Sequence, residues 1–233
     1  HGAGRIRLEA QSGALSIDAD ITSGSGLITL HAEGGLEVAE SIFIESAADV
    51  SLKSVSGSIN LHGTATVEAT DSSLRLTAEG DIVVGNLIAA NVSLYSASGA
   101  IVNAVDSSLN VTADQLRLEA QANIGVSGRH LSVDVDTLTA ESKGGSIFIT
   151  AESGVVIGTV AVSVEELTSD AGTDSSSDAS QSGLTTLEDG DIVLVALSGD
   201  VLMEDTVSAH GAGRVLIAAD AGELSIEADV LSG

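Results

Sequence analysis

The chain has 233 residues, and its 8 Lys and Arg residues stand against 34 Asp and Glu residues, giving a formal net charge of -26. Such acidity disfavours nucleic acid and anionic membranes as partners, whereas a hydrophobic content of 43% is too high for a disordered polyanion. Pro, Cys and Trp are absent, so no disulfide framework exists and the core must consist of Val, Ile, Leu and Ala.

No segment approaches the ~20 apolar residues of a membrane-spanning helix, so we expect no membrane insertion. The chain begins at His1 rather than Met, and we expect it to be an excerpt of a longer protein.

A long repeat joins the two ends of the chain. Residues 1–24 read HGAGRIRLEAQSGALSIDADITSG, and residues 210–233 read HGAGRVLIAADAGELSIEADVLSG. Fourteen of these 24 positions are identical at a constant offset of 209. The sequence therefore contains one repeat unit, residues 1–209, and the start of the next unit, residues 210–233.

A shorter repeat lies inside the unit, and each copy begins with apolar residues at alternate positions. The first six copies start at Ile6, Ile28, Val50, Leu74, Val92 and Leu116. Alternation over three to five residues indicates β-strands, and Gly, Ser, Asn and Asp between them indicate turns. A helical period of apolar residues is missing, so we expect very little helix.

Three short strands in about 22 residues, repeated in register, predict one turn of a parallel β-helix, or β-solenoid. A single turn cannot bury its inward side chains, whereas stacked turns about 4.8 Å apart align them into columns. The chain is thus predicted to be one all-β domain over residues 1–233, with a unit about 45–50 Å long. An antiparallel β-sandwich is the rival fold, but it has no reason to keep this register.

Alternation places Arg7, Arg75 and Arg117 on the outer surface of the predicted stack. Glu9 and Glu119 follow on the same face, two residues after Arg7 and Arg117. We expect exposed ion pairs here, each worth under about 1 kcal/mol.

Two regions depart from the repeat. Residues 165–190 are rich in Ser, Asp and Thr and are predicted to form an acidic loop that projects from the stack. Residues 106–114 and 133–145 are irregular and predict an inserted turn or a smaller one.

No catalytic, cofactor-binding or metal-binding residues are identified. The histidines show no close metal-ligand spacing and are expected in exposed turns or strands: His1, His31, His62, His130 and His210. No Ser lies in a nucleophile elbow, and no Gly-rich segment has the Lys or helix of a phosphate loop. Few basic and three Phe or Tyr side chains also argue against a polysaccharide-active β-helix enzyme.

Calcium is the one ion that the acidic segments leave open. The loop from Asp170 to Asp178 and the pair Asp134 and Asp136 offer carboxylate ligands for weakly bound Ca²⁺. Neither a Gly-rich nonapeptide repeat nor an EF-hand loop is present. A solvated acidic face is the preferred interpretation.

The segments GSGLITLHAEGGLEV, AADVSLKSVSGSINL and DGDIVLVALSGDVLM resemble the repeats of filamentous-haemagglutinin-type exoproteins, which are giant bacterial adhesins of two-partner secretion type. This resemblance covers nearly the whole chain except about 165–190. It implies a right-handed β-helix that is secreted or displayed at the cell surface. A non-catalytic structural segment of a fibre, with tandem units of the same chain as its partners, is the expected function. The shaft of an adhesin that presents a binding module encoded elsewhere is the alternative.

Overall fold

A computed structural model describes residues 2–105 and 108–233. Within these residues the secondary structure is β-strand without helix, and parallel pairing coils the chain into about ten stacked turns. This confirms the predicted parallel β-solenoid.

The first six turns contain fourteen strands, two of the long ones bending from one turn into the next. Turns 1 to 3 begin with β1 (Ile6–Ala10), β2 (Leu15–Ile17), β3 (Ile21–Thr22), β4 (Ile28–Ala32), β5 (Leu36–Val38), β6 (Phe43–Ser46), β7 (Val50–Ser54), β8 (Ile59–Leu61) and β9 (Thr66–Ala78). Turns 4 to 6 continue with β10 (Ile82–Val84), β11 (Asn86–Ser96), β12 (Ile101–Asn103), β13 (Val111–Ala120) and β14 (Leu131–Ser142).

The remaining strands complete the stack and add a side branch. Turns 7 to 10 contain β15 (Ile147–Ala151), β16 (Val155–Ile157), β21 (Leu184–Thr186), β22 (Ile192–Ala196), β23 (Val201–Met203), β24 (Val207–Ala209), β25 (Val215–Ala219), β26 (Leu224–Ile226) and β27 (Val230–Ser232). The side branch consists of β17 (Thr159–Val160), β18 (Ser163–Leu167), β19 (Thr173–Ser177) and β20 (Gln181–Ser182).

Each of the first six turns has three sides. Side A is formed by β1, β4, β7 and residues 74–78, 91–96, 115–120 and 137–142. Side B is formed by β2, β5, β8, β10, β12 and residue 124. Side C is formed by β3, β6 and residues 66–69, 86–89, 111–113 and 131–135. Ile6 pairs with Ile28, and Ile28 with Val50, at intervals of 22 residues, whereas Val201 and Leu224 are 23 apart.

The interior consists of columns of like side chains from successive turns. Leu30, Leu52, Leu76 and Leu94 stack along side A and are fully buried. Removing a Leu side chain from water contributes roughly 1.5–3 kcal/mol. Aliphatic columns therefore fill the narrow coil without large rings.

Serine hydroxyls at one corner tie each turn to the one before it. Ser46 Oγ donates to the carbonyl oxygen of Gly26 at 2.7 Å, and Ser142 Oγ donates to that of Ala122 at 2.7 Å. The backbone turns tightly here: a Cβ atom on Gly26 would lie 2.3 Å from the carbonyl oxygen of Gly4. These contacts explain why Ser and Gly recur between the strands.

The three-sided frame changes between turns 6 and 8. In turn 7, β15 runs straight across two sides, because Ile147 pairs with Ile124 and Ile149 pairs with Leu131. In turn 8, two strands cover side A: β16 pairs at Leu138 and β21 pairs at Ala140. One corner of the coil is lost and another is gained.

This change of frame corrects the prediction for residues 133–145. The region contains no inserted or smaller turn, since β14 pairs in register with β13 over both sides A and C. Its irregular sequence marks the place where the corners move. Of the range 106–114, residues 106 and 107 lie outside the described residues, and Val111 to Asp114 belong to β13.

Candidate functional site: the hairpin-covered face and the last turn

The Ser- and Asp-rich region folds back onto the solenoid instead of projecting from it, which corrects the prediction for residues 165–190. Residues 159–182, here called the lateral hairpin, form antiparallel pairs between β17 and β20 and between β18 and β19. The remainder of the predicted loop, from Leu184 onward, returns to the stack as β21.

The lateral hairpin runs along the solenoid axis, across the outer surface of side A. Near its base, Gln181 Nε2 donates to the carbonyl oxygen of Leu118 in turn 6 at 2.9 Å. Further along, the Leu167 amide donates to Thr29 Oγ1 in turn 2 at 2.9 Å, and Arg7 in turn 1 donates to the Leu167 carbonyl. One segment therefore contacts side A at both ends of the first seven turns.

Apolar side chains hold the lateral hairpin against this surface. Val160, Val162, Val164 and Leu167 alternate along its first strands and are buried. Beneath it the outward side chains of side A are buried as well: Thr29, Ser51, Ser93, Arg117 and Thr139. The alternation of Val from residue 160 to 164 was the sequence signal for this packing, and the abundance of Ser and Asp after it concealed that signal.

The predicted arginine row lies under the lateral hairpin. Arg7 pairs with Glu9 at 2.9 Å and Arg117 with Glu119 at 2.6 Å, which confirms both predicted ion pairs. Their expected exposure is wrong for Arg117, whose relative exposure is only 5% because the hairpin covers it. Lys143 Nζ adds a third charge to that cluster, 2.7 Å from Glu119.

Arg75 and Asp178 form the bidentate ion pair that anchors the returning strand. Nε and Nη2 of Arg75 donate to the two carboxylate oxygens of Asp178 at 3.0 and 2.8 Å. Burial alone would raise the pKa of Asp178, but the hydrogen bond and charge of Arg75 lower it. Burial likewise opposes ionisation of Glu119, while Lys143 and Arg117 lower the pKa of that carboxyl group.

Acid is expected to release the hairpin. Because the folded-state pKa of Asp178 is depressed, its contribution to stability is present above the unfolded pKa, near 4, and is lost as the pH falls through the folded pKa. Asp178→Asn should weaken hairpin attachment by about 2 kcal/mol at pH 7. Urea unfolding with amide exchange at both pH values measures this, and the variant and parent should converge near pH 2. A difference independent of pH would contradict the role of this carboxylate.

The histidines are dispersed over the described surface. His31 lies 3.7 Å from Glu9 and His62 lies 3.2 Å from Glu37, while His130 is stacked against Phe148 with ring centroids 5.7 Å apart. His210 is exposed, and His1 lies outside the described residues. His31 and His130 are half-buried, so the expectation of exposed histidines fits His62 and His210 better.

The acidic segments considered for calcium are not brought together. Asp170 lies at the tip of the lateral hairpin, where hydrogen bonds from the Thr168 hydroxyl and the Gly172 amide lower its pKa, and Asp178 is engaged by Arg75. Asp134 accepts a hydrogen bond from Ser153 on side C. In the part of the chain that the structure describes, no group of three His, Asp or Glu residues is arranged to hold a metal ion.

The last turn leaves inward side chains uncovered. Ile17 in turn 1 has a relative exposure of 5% because turn 2 lies over it, whereas its repeat equivalent Ile226 in turn 10 is 55% exposed. Leu224 and Val230 are exposed in the same way, at 40% and 44%. This face offers apolar side chains and unpaired strand edges to a further turn.

The fold and these two surfaces define the chain as a parallel β-solenoid with a lateral hairpin clamped along one side. Comparison with protein-family models, with curated proteins and with solved structures gave no match. Across residues 2–105 and 108–233, no helix is long and apolar enough to cross a membrane.

Proposed function

We propose that this chain is a structural segment of an extended extracellular fibre in which tandem copies of a 209-residue unit stack into one continuous solenoid. The observation that carries the proposal is the repeat at the two ends. Residues 210–233 repeat residues 1–24, and their turn exposes the same apolar positions that turn 2 covers in the first copy. The uncovered face therefore fits a turn with the sequence character of residues 25–48.

The surface chemistry agrees with a structural role. The buried arginines Arg75 and Arg117 are satisfied by the chain's own carboxylates and carbonyls, so their charges hold the hairpin in place. The outer surface carries most of the net charge of -26, which keeps parallel fibres apart and in solution. Secretion and cell-surface display are proposed from the resemblance to filamentous-haemagglutinin-type repeats.

Each unit adds less length than the sequence suggests. The lateral hairpin uses residues 159–182 without adding a turn, and β1 in turn 1 is followed by its equivalent β25 in turn 9. A unit then rises by eight turns and a fraction, or about 40 Å, in place of the expected 45–50 Å.

Electron microscopy of the native material tests the proposal directly. We expect a thin continuous fibre with a layer line at ~4.8 Å and a longer axial repeat near ~40 Å. Compact particles without that axial repeat would rule out the tandem fibre.

The second candidate is the shaft of an adhesin whose binding module is encoded elsewhere. The same images separate the two functions, because a shaft ends in a globular tip and has a fixed length. Lengths that vary by whole units, without a tip, would favour the filament.

A further inference from the structure

The two copies of the terminal repeat occupy different sides of the coil. In sequence, β25 is equivalent to β1 and β26 to β2, at the offset of 209. If the unit contained a whole number of turns, β25 would lie in the column that starts at β1. The pairing contradicts this.

Two columns show the displacement. The column that ends at Val215 starts at Leu15 in β2 and passes through Leu36, Ile59, Ile82, Ile101, Ile124, Ile147 and Ile192. The column that starts at Ile6 in β1 ends at Ile226 in β26, after passing through Ile28, Val50, Leu74, Val92, Leu116, Leu138, Ile157 and Met203. The second copy thus enters the stack displaced by one side.

The change of frame at turns 7 and 8 produces the displacement. β15 merges sides B and C, and the long strand of side A is covered by β16 and β21 with the lateral hairpin between them. The five-residue strand of each turn consequently moves from side A, where β1 lies, to the position of β22 and β25.

We propose, building on the proposed tandem fibre, that each unit is turned about the axis by roughly one side of the coil, about a third of a turn, relative to the unit before it. The lateral hairpin occupies side A of its own unit, so successive hairpins follow a helical path around the fibre. Each hairpin is the surface that a neighbouring fibre meets, and three consecutive units present it in three directions.

Disulfide trapping in the 233-residue chain tests the change of frame. The chain has no cysteine, and paired residues of adjacent parallel strands lie about 4.8 Å apart, within disulfide range. We expect Thr137→Cys with Val156→Cys, and separately Glu141→Cys with Thr185→Cys, to cross-link almost completely on oxidation. The control Thr137→Cys with Thr185→Cys should not cross-link. Closure of only one of the two test pairs would mean that a single strand covers side A, and would overturn the proposal.

A chain extended by a second copy of residues 25–233 tests the rotation itself. Spin labels on the two copies of Ser175→Cys report the distance between the hairpins by dipolar spectroscopy. Axial rise alone gives about 40 Å, and rotation must lengthen it measurably. One rod with labels near ~40 Å apart would overturn the rotation but leave the fibre intact. Failure of the extended chain to form one rod would overturn the fibre and the rotation together.

Discussion

Replacing Val164 with Asp is expected to release the lateral hairpin from side A while the stacked turns persist. Val164 is buried against the outer surface of the solenoid, and an unpaired carboxylate cannot be accommodated there without several kcal/mol of desolvation. Amide protection in β18 and β19 should fall by about 100-fold or more, corresponding to roughly 3 kcal/mol. Hydrogen exchange with mass spectrometry resolves the hairpin from the turns beneath it.

Ser163→Asp is the matched control, because it adds the same charge one residue away at an exposed position of the same strand. Its exchange should stay within about 0.5 kcal/mol of the parent. Equal loss of protection in both variants would show that charge, and not burial at Val164, destabilises the hairpin.

Alanine substitution along the stack is expected to cost free energy in proportion to the number of covering turns. Leu52 lies between two turns, and Leu52→Ala should destabilise the chain by about 2–5 kcal/mol. Ile17→Ala should fall near the lower end of that range, because Ile17 is covered from one direction. Ile226→Ala should cost less than about 1 kcal/mol, since its side chain is mostly exposed.

Urea unfolding of the three variants measures this series. Ile17 and Ile226 are the same residue at equivalent positions of the repeat, so their comparison isolates the effect of the covering turn. In a chain extended by a further unit, the cost of Ile226→Ala should rise to that of an interior position. An equal cost at both positions in the 233-residue chain would contradict nearest-neighbour stacking.

The sequence predicts the solenoid well because stacking repeats the same inward positions every turn. Ile6, Ile28 and Val50 occupy one column, and their spacing is visible in the chain without any structure. The pairing of Arg7 with Glu9 follows from alternation along a single strand. Properties that depend on one strand and its immediate repeat are thus accessible from the pattern.

The lateral hairpin and the change of frame were not predictable in the same way. Val160, Val162 and Val164 alternate as the interior strands do, so the pattern does not say which surface they cover. Leu138 and Ala140 likewise keep the alternation of side A, although two different strands pair with them. Both features depend on contacts between residues distant in sequence, and local patterns do not specify such contacts.

The lateral hairpin also changes how the solenoid should respond to mechanical load. A plain stack of turns is a one-dimensional series in which each turn is held only by its neighbours, so it can peel from an end one turn at a time. Here the anchor of Arg7 on Leu167 and that of Arg117 on Ala179 connect turn 1 to turn 6 through a second, parallel connection. Tension along the axis must break this connection before the enclosed turns can separate. A fibre of such units would therefore lengthen in discrete steps, each the yielding of one clamped block.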